Sequence, residues 1–166
     1  MTGTSPLSFI VMGPAGSGKT TVGQVLARLT GLQFLDADDF HDPSAIAKMS
    51  RGTPLTEEDR APWLARLALE LDTTARGLVL GCSALRANYR QTLGTDRPGR
   101  RLVYLHVPEQ ELVRRLQERT GHFAGSGLLA SQLALLEIPS EEETYDGTAT
   151  PEEIAWEVLR RGRIYP

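Results

Sequence analysis

Ser8-Phe9-Ile10-Val11-Met12-Gly13-Pro14-Ala15-Gly16-Ser17-Gly18-Lys19-Thr20-Thr21 is the stretch on which the fold turns. Its first five residues are a short, largely apolar run, which suits a strand buried on both faces of a parallel sheet. Gly13 ends the run, and Gly13 to Thr20 then matches the pattern G-x-x-x-x-G-K-[ST]. Beyond it Val22, Val25, Leu26 and Leu29 recur at helical spacing until Gly31 stops the helix. Strand, glycine-rich loop and helix in this order make a phosphate cradle. Glycines let the backbone wrap an anion so that successive N–H groups point inward, and the helix adds its positive end. Lys19 brings a mobile point charge to the β- and γ-phosphates, and the Thr20 hydroxyl is a hard oxygen ligand for Mg²⁺. Gly13, Pro14, Ala15, Gly16, Ser17, Gly18, Lys19, Thr20 and Thr21 are the expected nucleotide contacts.

Working outward, strands and helices alternate. Gln33-Phe34-Leu35 reads as a second strand, Leu78-Val79-Leu80 as a third and Leu102-Val103-Tyr104-Leu105 as a fourth, with Glu143-Thr144-Tyr145 as a short fifth. Thr56-x-x-Asp59 predicts a capping box that opens a helix carrying Trp63, Leu67 and Leu71. Pro151-Glu152-Glu153 opens a last helix, with proline in its first turn and acids at its positive end. The expected class is α/β: a five-stranded parallel sheet with helices on both faces, in three layers, its ligands beyond the carboxyl ends of the strands. No repeat or long linker divides the chain, so residues 1–166 read as one domain.

At the end of the second strand stands Asp36-Ala37-Asp38-Asp39. In an extended segment Asp36 and Asp38 share a face, so both can address the phosphate site. One carboxylate would hold the metal through water, and the other would accept a proton from an attacking hydroxyl. The competing reading is an acidic cap or turn, and Asp39 reads as a cap alone. Arg114, Arg115 and Arg119 lie on a helical pattern that runs into Gly121 to Gly127. Such a segment fits a small closing lid over roughly residues 115–135, with Arg115 and Arg119, four apart on one face, set against the charge of a transferring phosphoryl.

Composition excludes several classes. Net charge is −3, without the basic footprint of a nucleic-acid binder. One cysteine allows no internal disulfide and offers no metal cluster, and no apolar run reaches the ~18 residues of a membrane span. A reduced, cytoplasmic setting is expected. Only Lys19 and Lys48 among 18 basic residues are lysines, which marks them as places for a compact ammonium. A guanine-nucleotide switch would carry Asn-Lys-x-Asp, and the single asparagine, Asn88, precedes Tyr89. Asp96-Arg97-Pro98-Gly99 fits a switch pattern but lies in a polar loop. A motor ATPase would show a strand of four apolar residues running into an acidic pair, which is absent. A small-molecule kinase remains.

Several segments together resemble the gluconate kinase (gluconokinase) family. They are Gly13 to Thr20; Phe34-Leu35-Asp36-Ala37-Asp38-Asp39-Phe40-His41; Lys48-Met49 with Gly52 and Pro54-Leu55; Asp59-Arg60-x-Pro62-Trp63-Leu64; Cys82-Ser83-Ala84-Leu85 with Tyr89-Arg90; and Gly121-His122-Phe123 followed by Leu128-Leu129-x-Ser131-Gln132 and Glu137. The resemblance spans roughly residues 8–139. It implies a P-loop kinase fold with a mobile lid, and use of ATP and Mg²⁺ to phosphorylate the terminal hydroxyl of D-gluconate. It supports Asp38 as the base and Asp36 on the metal side, and implies His41, Lys48, Arg60, Arg86, Arg90, His122 and Gln132 as holders of the polyhydroxy acid. A homodimer is implied by the resemblance alone. The chain departs from the family's His-Pro with a later Asn, showing Pro43 and Ala45, and from its Leu-Lys-Arg, showing Leu85-Arg86-Ala87. These departures leave shikimate or another sugar acid as the alternative acceptor.

Overall fold

In the computed structural model, which describes residues 6–120 and 126–164, the five expected strands form one parallel sheet. They are β1 (Ser8–Met12), β2 (Gln33–Asp36), β3 (Leu78–Gly81), β4 (Arg100–His106) and β5 (Thr144–Asp146), in the spatial order β2-β3-β1-β4-β5. β1 takes the centre, with Phe9 beside Val79 on one flank and beside Arg101 on the other. The helices are α1 (Lys19–Thr30), α2 (Pro43–Ser50), α3 (Glu57–Thr73), α4 (Ala87–Thr92), α5 (Glu109–Thr120), α6 (Ser126–Leu135) and α7 (Pro151–Gly162).

The period-two alternation of the strands divides the core in two. Ile10 and Met12 of β1, with Leu78 and Leu80 of β3, pack beneath Trp63, Leu64, Leu67 and Leu71 of α3. Phe9, Val11 and Val79 face the other way, onto Val22, Val25 and Leu26 of α1 and Ile154, Val158 and Leu159 of α7. Each helix therefore carries one apolar stripe, and the sheet between them carries two. A third, smaller cluster of Val107, Leu112 and Leu129 joins α5 to α6.

Two local features set the site. The expected capping box is present: Thr56 Oγ1 accepts from Asp59 N at 3.2 Å, and Asp59 Oδ2 accepts from Thr56 N at 2.9 Å. The extended reading of Asp36 to Asp38 is corrected. Residues Ala37–Phe40 form a 3₁₀ turn, because the Asp36 carboxylate takes the Asp38 N–H at 2.9 Å and closes the chain on itself. It is Asp36, rather than Asp39, that serves as the cap. Helix α2, which carried no sequence assignment, starts where Asp42 Oδ1 accepts from Ala45 N at 2.9 Å with Pro43 behind it.

Candidate functional site

The loop between β1 and α1 needs its glycines. Gly13, Gly16 and Gly18 adopt φ of 153°, 85° and 94°, and a Cβ on Gly13 would stand 2.5 Å from Ser17 Oγ. The turn so formed carries Ser17 inward, where its hydroxyl is buried with no hydrogen-bond partner among the described residues. Lys19 Nζ folds back to donate to Pro14 O at 3.1 Å. Burial is the main influence on that ammonium and lowers its pKa, against the pull of Asp38 and Asp36 among others. A half-buried cation beside a glycine-rich turn at a helix start suits an anion.

A cleft of about 560 Å³ opens beside this loop. Its floor is Gly16 to Val22, one wall is Arg115, Glu118 and Arg119 of α5, and the other is Gly147, Ala149, Pro151 and Ile154 after β5. Both lid arginines singled out from sequence thus reach the loop. Arg115 is tied down: its Nη1 donates to Gly16 O at 3.3 Å, its Nη2 to Gly147 O at 2.9 Å and its Nε to Glu111 Oε1 at 2.9 Å. Arg119 lines the cleft and adds to the positive field on Lys19. The segment after β5 was missed in the sequence, although the rule that ligands sit beyond strand carboxyl ends points to it.

On the side of β2 lie the acids. Asp38 presents its side chain to solvent, 88% exposed. The protein around it nonetheless thins its hydration, and with Asp36 this holds its carboxyl above the ordinary range. His41 sits beneath, its imidazole stacked on Trp63 at 4.5 Å and its Nε2 3.9 Å from Asp38 Oδ1. Burial lowers the His41 pKa, so the ring is neutral at pH 7. The Trp63 indole donates to Ala37 O at 2.7 Å, which pins the 3₁₀ turn to α3. Cys82, at the end of β3, is buried, and desolvation pushes its thiol up to about 12.

The remaining expected acceptor residues separate into free and engaged groups. Arg60 and Arg86 face one another across Glu57, each with Nη1 3.5 Å from its Oε1. Lys48 instead grips both oxygens of Asp59, at 2.7 and 2.8 Å, joining α2 to the start of α3. Arg90 is held by the protein's own carbonyls. It is buried, and its guanidinium donates to Ala84 O, Leu85 O and Glu137 O at 2.9, 3.1 and 2.9 Å, clasping the β3–α4 loop to the chain after α6. Gln132 lies at the phosphate loop, its Oε1 accepting from Ala15 N at 2.7 Å. His122 falls outside the described residues, as does the middle of the expected lid. Helices α5 and α6, on either side of those residues, pack on each other.

Metal-ligating groups are sparse: among the described residues no cluster of three or more His, Cys, Asp or Glu could hold an ion. That suits Mg²⁺, which keeps most of its waters and takes one or two protein oxygens besides those of phosphates. Thr20 and Asp36, both hard oxygen donors, fit that small part.

Comparison with known proteins agrees with this fold. The family model for shikimate kinase matches residues 15–152. A gluconokinase of Gluconobacter oxydans is 42% identical over 164 residues, covering 95% of this chain and 92% of its own length. The thermosensitive gluconokinase of Escherichia coli is 40% identical, covering 82% of this chain and 74% of its own. Among solved structures, a gluconokinase from Sinorhizobium meliloti superposes with a TM-score of 0.84 at 41% identity, covering 95% of this chain and 91% of its own.

Proposed function

From the premise that the chain belongs to the gluconokinase family of P-loop kinases, we propose that it transfers the γ-phosphoryl group of ATP to the terminal hydroxyl of D-gluconate. The observation that carries this reading is the phosphate loop with Lys19 half-buried against it and Asp38 exposed on the β2 side. The transfer balances simply: the acceptor oxygen bonds to the γ-phosphorus, the bond to the bridging oxygen breaks, and ADP leaves with those electrons. Asp38 takes the hydroxyl proton as the oxygen attacks. Its raised pKa makes it a stronger base than an ordinary carboxylate. The N–H groups of the glycine-rich loop and of the start of α1, with Lys19 Nζ, hold the phosphates and receive the charge that develops on them. Thr20 and Asp36 would hold Mg²⁺, which neutralises phosphate oxygens when bound. Arg119, and Arg115 once released from Gly16 O, add positive charge from α5.

On the acceptor side, neutral His41 can exchange hydrogen bonds with hydroxyls, and Arg60 and Arg86 offer guanidinium forks to a carboxylate. Gln132 and Arg90 support from behind, through Ala15 N and the β3–α4 loop. The test is acceptor-dependent ADP release from Mg-ATP, with gluconate, other aldonic acids, shikimate and no acceptor compared side by side. Gluconate giving by far the highest kcat/KM is expected. Faster turnover of another acid moves the acceptor assignment, and no acceptor-dependent release at all removes the proposal.

A further inference from the structure

Glu57 is the first residue of α3 and matches none of the motifs, yet its carboxylate occupies the middle of the acceptor wall. Its Oε1 accepts from the Tyr89 hydroxyl at 2.7 Å and stands 3.5 Å from Nη1 of both Arg60 and Arg86. Arg60 also donates to the Tyr89 hydroxyl at 3.3 Å and lies 5.8 Å from the centre of its ring. Two guanidiniums from different elements thus share one oxygen of one side chain. A guanidinium holds a carboxylate best through two parallel bonds at about 2.7–2.9 Å. Here each is engaged at a single tip, by a long contact, on a side chain that is half exposed. The arrangement halves the charge of the two arginines without satisfying their donors.

We propose that Glu57 is a resident carboxylate standing where the carboxylate of the acceptor binds, and that the incoming acid displaces it from Arg60 and Arg86. The inference rests on the reading of Arg60 and Arg86 as the acid-binding end of the site. Helix α3 supplies an independent measure of that end. Glu57, Arg60 and Trp63 succeed one another at intervals of three, in a slanting row along the helix. Six residues of helix rise about 9 Å. Trp63 marks one end, against His41 and Ala37 beside Asp38, and Glu57 marks the other. An extended six-carbon acid spans such a distance from its terminal hydroxyl to its carboxylate. With the hydroxyl at Asp38, its carboxylate reaches Glu57.

While Glu57 is in place the arginine pair carries one net positive charge instead of two, so every anion that binds there competes with it. A neutral polyol does not. Glu57→Gln keeps an acceptor oxygen for the Tyr89 hydroxyl and removes the charge. The expected result is a several-fold fall in KM for gluconate, in KM rather than kcat, with KM for Mg-ATP unmoved. The gain should shrink as salt is added, and KM for the neutral alditol of the same chain length should not fall. Glu57→Asp, which withdraws the carboxylate by one methylene, should give a smaller fall in KM, and thermal melts confirm that both variants fold. An unchanged or raised KM for gluconate in Glu57→Gln overturns the proposal. Arg60→Ala and Arg86→Ala separate the two ideas. If they raise KM while Glu57→Gln does not lower it, the acid-binding reading stands and the resident carboxylate falls. If none of the three moves KM, both fall.

Discussion

Asp38 is defined by what surrounds it. Asp36 caps the 3₁₀ turn through Asp38 N, His41 lies beneath Asp38 as a neutral ring, and Lys19 stands across the loop. Asp38→Asn keeps shape and loses only the basic oxygen. It is expected to lower kcat on the order of 10²–10⁴-fold while the protein still gains thermal stability from Mg-ATP; near-normal kcat would take the base role from Asp38. At this scale the sequence was readable where partners are neighbours in the chain. Gly13 to Thr20 announces its chemistry because donors, cation and hydroxyl all lie within eight residues. Lys48, Arg90 and Gln132 were opaque because the partners Asp59, Glu137 and Ala15 lie 11, 47 and 117 residues away. A polar side chain in a sequence shows no partner, so each read as free for a ligand.

Among the elements, α3 carries the most. Its capping box was legible because Thr56 and Asp59 are three apart, and the box depends only on local backbone. What the spacing concealed is that Asp59 does two tasks, accepting from Thr56 N and from Lys48 at once. These bonds, that to Lys48 foremost, lower the Asp59 pKa from 3.8 to about 2. A carboxylate whose folded pKa is depressed stabilises the fold fully above its unfolded value and loses that contribution as pH falls through the folded one. Asp59→Asn should therefore melt below the wild type at neutral pH, and the gap should close as pH falls from 3.8 towards 2. A gap that is absent at neutral pH would mean the Lys48–Asp59 pair adds nothing. The 3₁₀ turn after β2 was the counter-case: alternation suggested a continuing strand, and a single side-chain bond from Asp36 overrode it. Helix α2 was missed because only Ala45 of its eight residues is buried, too little to print a helical stripe.

For the whole molecule, the kinds and sequence of elements were legible, since buried parallel strands read as apolar runs and the helices carry stripes. The order β2-β3-β1-β4-β5 was not, because pairings such as Phe9 with Val79 join residues seventy apart, and nothing local records them. The same central position that gives β1 two partners also locks the end of β3 to it: Cys82 N donates to Val11 O at 3.0 Å, two residues before the phosphate loop begins. Cys82 is the only cysteine in the chain, it is 1% exposed, and its thiol ionises only near 12. The protein thus carries a built-in chemical clock. An alkylating reagent can count openings of the sheet directly under the phosphate loop, with no probe introduced and no second thiol to confuse the signal. Labelling should be far slower than in denaturant and should slow further when Mg-ATP is bound; modification at the rate of a free thiol would show that this seam opens on its own.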